Sequence, residues 1–257
     1  MNLLPNRLTN LMALNRSAPR VYKIDAAADE ASMYLYDVIG HDWWTGGGVT
    51  AKQFAGDLMA LGGRTLHLRV NSPGGDVFDG RAMAAALKAY PGKVIAHVDG
   101  LAASAASFLI MHADEIVMTA GSFMMIHNGW TVVMGDRHEM LESAALLEKI
   151  DGAIADDYLT RTTADREQVQ AWMDAETWFT AEEAISNGLA DRIDKTDDAK
   201  TNASAWDVSA YGRAPSDLVQ EQLVLEPIND QEAPVNMQAE AEHAHRVRRL
   251  GLATRTA

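Results

Sequence analysis

Short apolar runs alternate with stretches of helical periodicity along the middle of the chain. The runs at 33–40, 66–70, 93–98, 115–118 and 123–126 have the length of buried strands. Apolar residues at helical spacing predict helices within 51–61, 76–90, 102–111, 136–161, 166–173 and 180–187. Because a strand followed by a helix recurs several times, the pattern predicts an α/β fold with a mainly parallel sheet.

Helix-start and helix-stop signals support two of these predicted helices. Thr50 with Gln53 provides a capping box before the helix at 51–61, and Thr180 with Glu183 does the same near 180. Gly188 is placed to end the last of these helices. Local signals and periodicity therefore agree on where these helices begin and end.

Local composition divides the chain into three regions. Residues 1–18 are predicted to be a loosely ordered leader, 19–195 one compact domain, and 196–257 a polar tail. The tail opens with the charged, small-residue run of 194–204, which buries little apolar area and predicts a linker. A short helix is predicted within 238–252. We therefore expect proteolysis to trim the chain to a core ending near Lys195.

Composition removes several classes of function. The 257 residues include 22 Lys and Arg against 36 Asp and Glu, which gives a net charge of −14 and argues against nucleic-acid binding. No cysteine is present, which excludes disulfides, Cys-ligated zinc and a thiol nucleophile and is typical of a cytoplasmic protein. No run of 18 apolar residues occurs, so no membrane span is expected.

Two strand-to-helix junctions contain residues suited to catalysis. Asn71–Gly75 follows a predicted strand, where Pro and Gly either form a simple turn or leave backbone N–H groups open to an oxyanion. Ser104 lies among small residues in Asp99–Ser107, which leaves its hydroxyl reachable by an extended substrate. The alternative for this second junction is a close-packed helix, because serine is a poor nucleophile without a base.

A base for Ser104 is available at the end of the next apolar run. His127 follows Met124–Ile126 and precedes an Asn-Gly turn, a position where sheet proteins expose functional side chains. His112 is the rival base, and Ser107, one helical turn after Ser104, is the rival nucleophile. A nucleophile, a base and backbone donors are the parts of serine-hydrolase chemistry.

Four segments in this order resemble the Clp protease proteolytic-subunit (ClpP-like) family of serine peptidases: NSPGG at 71–75, GLAAS at 100–104, MIH at 125–127 and FTAEEAISNGLAD at 179–191. The runs HNGW at 127–130 and ETWFTAEEA at 176–184 are most similar to the ClpP-like head-maturation proteases of tailed phages. The resemblance covers residues 19–195 and leaves out the tail.

The resemblance implies a site. Ser104 would be the nucleophile, His127 its general base, and the backbone N–H groups of Gly75 and Ala105 the oxyanion hole. A gap-free count to the family's acid ends on Trp172, so the third member of the triad is expected to be Asp174, with Glu176 as the alternative. Neither a metal nor a cofactor is expected.

The resemblance also implies a fold, an assembly and a function. The fold would be the ClpP/crotonase-type superhelical spiral of strand-strand-helix units, with the helix at 136–161 as the oligomer handle. Family members form seven-membered rings, singly or in pairs. We therefore expect a ring-forming serine endopeptidase that processes scaffold and capsid proteins, with capsid, portal or scaffold proteins as partners. The alternatives are a catalytically silent structural ring and an acyl-CoA enzyme of the crotonase fold.

Overall fold

The computed structural model describes residues 7–42, 47–194 and 206–218. Its strands are β1 (Val21–Ala26), β2 (Glu30–Tyr36), β3 (Thr65–Ser72), β4 (Val94–Ala103), β5 (Glu115–Thr119), β6 (Phe123–Ile126), β7 (Thr177–Thr180) and β8 (Arg192–Asp194). Its α-helices are α1 (Arg7–Leu14), α2 (Ala51–Ala60), α3 (Val77–Ala89), α4 (Ala105–Ile110), α5 (Arg137–Leu159), α6 (Arg166–Asp174) and α7 (Ala181–Ser186).

All eight of these strands belong to one sheet. The order β1-β2-β3-β4-β5-β8 is parallel from β2 to β8, and β1 joins its edge antiparallel to β2. The long strand β4 also pairs through its last residues, Leu101–Ala103, with β6 in parallel, and β7 lies antiparallel to β6. The prediction of an α/β fold with a mainly parallel sheet is therefore confirmed.

The capping box predicted at Thr180 is complete, whereas the one predicted at Thr50 has only its Thr50 half. The Thr180 hydroxyl and the Glu183 carboxylate bond each other's backbone N–H groups, as a capping box requires. The Thr50 hydroxyl accepts from the backbone N–H of Gln53 at the start of α2. The N-cap of α5 forms an additional capping box through Asp136 and Glu139.

The chain differs from the predicted elements around Ser104. The sequence predicts a helix over Ala102–Met111, yet Ala102 and Ala103 continue β4 and α4 begins only at Ala105. Pairing with β6 keeps these alanines extended, so tertiary contact overrides their helical preference. Strands β1, β7 and β8 are absent from the predicted elements. β7 has only four residues, too few for a clear alternation.

Two apolar clusters hold the fold together. The main cluster lies between the sheet and its helices and includes Leu68, Val98, Phe108 and Tyr158. A second cluster joins Leu11 of α1 and Met125 of β6 to Trp206, Val208 and Tyr211. Trp206 is only 1% exposed, so this part of the chain is a component of the core.

The second cluster differs from the predicted domain limits. The sequence places residues 206–218 in the polar tail and residues 1–18 in a loosely ordered leader. In the structure, Asn15 and the backbone of Asp207 bond each other in both directions, with Nδ2 to O and N to Oδ1 both at 2.7 Å. The apolar residues of 206–218 are separated by small and polar ones, which hides them from a window average. The predicted helix within 238–252 lies outside the described residues.

None of the helices in the described part of the chain combines the length and the apolar character that a bilayer span needs.

Candidate active site

Ser104 occupies the turn between β4 and α4 with an unusual backbone conformation. Its φ is 54° and its ψ is −122°, and among the described residues other than glycine only Glu176 shares a positive φ. The backbone N–H of Ser104 donates to the carbonyl of Met125 at 2.9 Å, which anchors the turn to β6. Strained backbone of this kind concentrates at functional sites, so the outlier itself marks Ser104 for attention.

His127 lies within hydrogen-bond distance of Ser104. Its Nε2 is 2.8 Å from the Ser104 hydroxyl oxygen, and the side chain is buried apart from 7% of the residue's surface. The meeting follows from topology, because β4 and β6 run parallel and both residues follow the ends of these strands. The structure therefore brings together the two residues that the sequence predicted as nucleophile and base.

The rival residues are engaged elsewhere. Ser107 is fully buried, and its hydroxyl bonds to the Ser104 carbonyl and to the Tyr158 hydroxyl. His112 lies beyond the opposite end of α4, where its Nε2 is 3.1 Å from the Asp157 carboxylate. Neither position matches the exposed nucleophile or the adjacent base that acyl transfer requires.

The two candidate acids lie on either side of the turn that joins α6 to β7. Asp174 accepts a hydrogen bond from the side chain of Asn128, the residue after His127, at 2.7 Å. Glu176 is buried and accepts from the backbone N–H of Arg213 at 2.6 Å. Both carboxylates line the cavity that contains His127.

The glycine loop after β3 packs directly against the Ser104 turn. A Cβ on Gly74 would come within 2.7 Å of the Ser104 Cβ and 3.0 Å of the Ala105 nitrogen, so only glycine allows this approach. At Gly75, where φ is 150°, an added Cβ would lie even closer to its neighbour, 2.0 Å from the Ile39 carbonyl oxygen. Within the described segments, neither the Gly75 N–H nor the Ala105 N–H donates to another protein group. Both donors are available to a ligand.

A cavity of about 360 Å³ opens beside His127. Its walls combine Trp130 and Met173 with the polar groups of Asp174, Glu176 and Arg213. The Arg213 guanidinium donates to the Ala175 carbonyl at 2.8 Å, which fixes this wall to the α6–β7 turn. The cavity therefore offers both apolar and polar contacts to a ligand beside His127.

Sequence reasoning missed the contribution of Tyr211. Its ring contacts the His127 ring edge-on, with centroids 5.6 Å apart, and its hydroxyl donates to the Pro73 carbonyl at 2.6 Å. Tyr211 thus connects the base to the glycine loop. A single tyrosine in a polar tail gives no signal of this role, because only the folded chain brings it to the site.

No set of three or more His, Cys, Asp or Glu side chains within the described residues is arranged to hold a metal ion.

Comparison with known proteins gives a match to a sequence family and matches to solved structures. The sequence model of the family described as Clp protease matches residues 48–197, more than half of the chain. Among solved structures, the chain is similar to the ClpP1 N165D mutant from Listeria monocytogenes, with 20% identity and a TM-score of 0.56. That match covers 65% of this chain and 93% of the other, and it shows the ClpP-type fold. No sequence among the curated proteins matches.

Proposed function

Because the chain belongs to the Clp protease family, we propose that it is a serine endopeptidase in which Ser104 is the nucleophile and His127 the general base. The observation that carries this proposal is the 2.8 Å contact between His127 Nε2 and Ser104 Oγ, at a strained turn beside free backbone donors. A base at this distance can activate a hydroxyl that is otherwise unreactive.

The proposed reaction is acyl transfer in two halves. The Ser104 oxygen attacks the substrate carbonyl carbon while its proton passes to His127 Nε2, and the carbonyl oxygen becomes an oxyanion. The N–H groups of Gly75 and Ala105 stabilise that charge. His127 then returns the proton to the leaving amine, which breaks the peptide bond and leaves an acyl-enzyme. Water, activated by His127, releases the second product and restores Ser104.

Asp174 is proposed as the group that orients His127, with Glu176 as the alternative. Asp174 is supported by its bond to Asn128, adjacent to the base, and by its place in the same cavity. Glu176 is supported by its burial in that cavity. An orienting carboxylate keeps the correct imidazole tautomer and stabilises the imidazolium that forms during the reaction.

The finer role that we propose is the processing of scaffold and capsid proteins in phage head maturation, by a homo-oligomeric ring. The HNGW and ETWFTAEEA runs support this role. Co-expression with capsid and scaffold proteins tests it, because the native chain should shorten them and Ser104→Ala should not. Intact capsid and scaffold proteins beside an active peptidase would rule out this role.

Labelling with a serine-reactive fluorophosphonate tests the chemistry. The native chain should be modified at Ser104, and both Ser104→Ala and His127→Ala should lose labelling and peptide cleavage. Because residues of one relay act as a unit, the double variant should be no slower than the singles. His138→Gln, at the exposed start of α5, is the control and should retain activity. A native chain that resists labelling would favour a silent ring or an acyl-CoA enzyme of the crotonase fold.

A further inference from the structure

A chain of buried hydroxyl groups lies behind Ser104, in the core of the domain. The Tyr158 hydroxyl is 2.7 Å from the Ser107 hydroxyl, which is 2.7 Å from the backbone carbonyl oxygen of Ser104. Tyr158 and Ser107 are both fully buried. The catalytic reaction proposed above uses neither hydroxyl. Alanine and phenylalanine would fill nearly the same space, so packing alone does not require the two oxygen atoms.

The direction of every hydrogen bond in this chain can be assigned. A carbonyl oxygen only accepts, so the Ser107 hydroxyl donates its single proton to Ser104. The Tyr158 hydroxyl must then donate to Ser107. Burial raises the pKa of the Tyr158 hydroxyl, so this donor keeps its proton at any pH at which the protein is assayed.

The Ser104 carbonyl is held by two donors from one residue. The backbone N–H of Ser107 reaches it at 2.9 Å and the Ser107 hydroxyl at 2.7 Å. That carbonyl belongs to the same planar peptide unit as the Ala105 N–H. In a trans peptide the C=O and N–H bonds point in opposite directions, so holding the carbonyl on one side directs the N–H to the other.

We propose that Ser107 and Tyr158 are positioning residues that aim the Ala105 N–H at the developing oxyanion. The inference rests on the proposed function, and it adds the two residues that hold the strained Ser104 turn in place. With φ at 54° and ψ at −122°, Ser104 lies outside the common regions of backbone space. The hydrogen bonds from Ser107 to its carbonyl oppose rotation of the Ser104–Ala105 peptide. A preorganised donor is effective because it needs no reorientation during the reaction.

The long helix α5 provides the fixed end of this chain. Tyr158 lies in its last turn, and the preceding residue, Asp157, is bound by the guanidinium of Arg81 on α3 at 2.8 Å. His112, after α4, bonds the other oxygen of the same carboxylate. These contacts fix the end of α5 against α3 and α4, so the Tyr158 hydroxyl is presented to Ser107 from a rigid position.

Isosteric variants test the proposal through steady-state kinetics on a chromogenic peptide. Tyr158→Phe removes one oxygen and should lower kcat about tenfold, whereas Ser107→Ala should approach the roughly 10²- to 10³-fold loss seen when an oxyanion donor is removed. KM should stay within twofold in both, because substrate binding does not use this donor. Ser107→Ala/Tyr158→Phe should be no slower than Ser107→Ala alone, since the hydroxyls act in series.

A peptide boronate gives a readout that a purely structural role would not move. Its tetrahedral adduct places an oxygen in the oxyanion hole, so its affinity should fall in parallel with kcat/KM across the variants. Two variants serve as matched controls. Ser122→Ala removes a buried hydroxyl that also bonds the carbonyl three residues back, and Tyr90→Phe removes a phenol bonded to the Arg64 carbonyl. Both should keep native kcat and boronate affinity.

The outcomes separate a failure of the positioning role from a failure of the proposed function. Folded Tyr158→Phe protein with native kcat and boronate affinity would overturn the positioning role while leaving Ser104 as the nucleophile. A rise in KM as large as the fall in kcat would also overturn the positioning role. Tyr158→Phe carries the test even if Ser107→Ala fails to fold, because it leaves no buried donor unpaired. Failure of the native chain to react at Ser104 would instead overturn the proposed function, and this inference with it.

Discussion

Ser104 is maintained in a conformation that costs roughly 1–3 kcal/mol for a residue with a side chain. Its N–H is bonded to Met125, its carbonyl to Ser107 and its hydroxyl to His127, so the surroundings fix every polar atom of the residue. The small neighbours Ala103 and Ala105 and the absence of a Cβ at Gly74 make room for the turn. Strain and reactivity therefore meet at one residue.

The identity of the orienting acid is decided by two conservative substitutions. Asp174→Asn should keep the bond to Asn128 while removing the charge, and kcat should fall by as much as about 10⁴ if Asp174 orients His127. Glu176→Gln is the matched control, because its amide oxygen can still accept from the Arg213 N–H. Turnover of both variants on one peptide gives the answer. The opposite order of the two losses would assign the role to Glu176.

His97 should make stability depend on pH. Burial, together with the nearby Arg69 guanidinium and His67, lowers its pKa to about 4. In the unfolded chain a histidine has a pKa of about 6.5, so between these values the unfolded state binds the proton first. The free energy of unfolding should therefore fall as the pH drops from about 6.5 towards 4.

Denaturant unfolding of His97→Gln at several pH values checks this prediction. Its free energy of unfolding should change less steeply with pH across that window than that of the native chain, because the linked proton is absent. His138→Gln, on the exposed start of α5, is the control and should keep the native slope. Equal slopes for all three proteins would remove His97 from the pH dependence.

At the scale of elements, α5 has two different halves. The end near Ile154 and Tyr158 is buried in the main cluster and supports the Ser104 turn. The beginning exposes Met140, Leu141 and Leu146, and the Asp136 capping box stabilises it without tertiary contact. An apolar helix face that stays exposed among the described residues of one chain is expected to meet another chain.

We predict that this exposed half carries subunit contacts, in keeping with the expected ring. Leu141→Glu/Leu146→Glu should lower the assembled fraction in analytical ultracentrifugation, because charges replace apolar side chains in a buried interface. The far-ultraviolet circular dichroism should stay native, since neither side chain enters the core. Met59→Glu, on the exposed face of α2, is the matched control. Unchanged assembly in the α5 variant would place the interface elsewhere.

At the scale of the whole molecule, segments from early and late in the chain complete the second apolar cluster. Leu11 meets Trp206, Val208 and Tyr211 there, beside Met125 of the strand that leads to His127. The Trp206 indole N–H also donates to the Asn71 carbonyl at the end of β3. The late segment therefore contacts both the glycine loop and the base.

Two truncations test how much residues 206–218 contribute to stability and activity. A chain that ends at residue 205 loses Trp206 and Tyr211, and removal of one such buried aromatic side chain costs about 3–5 kcal/mol. Its melting temperature and peptide cleavage should therefore drop together. A chain that ends at Gln220 retains the cluster and should keep native values of both. Native stability of the shorter chain would return the domain boundary to the neighbourhood of Lys195, where the sequence places it.

Most of the fold could be predicted from periodicity and local chemistry. Apolar runs of strand length separated by helical spacing were sufficient for the α/β class, because these two periods are properties of neighbouring residues. Capping at Thr50 and Thr180 followed from side chains within three positions. The candidates Ser104 and His127 were found because four short segments occur in the order typical of a known family.

Tertiary structure decided what depends on distant partners. β6 keeps Ala102 and Ala103 extended against their helical preference, and the order of the strands places His127 beside Ser104. Tyr158 reaches Ser107 from 51 positions away, and Tyr211 reaches Pro73 from 138. No window along the chain contains such pairs. The sequence determined which side chains were available, and the packing of the sheet decided which of them meet, because a hydrogen bond depends on distance in space and not on separation along the chain.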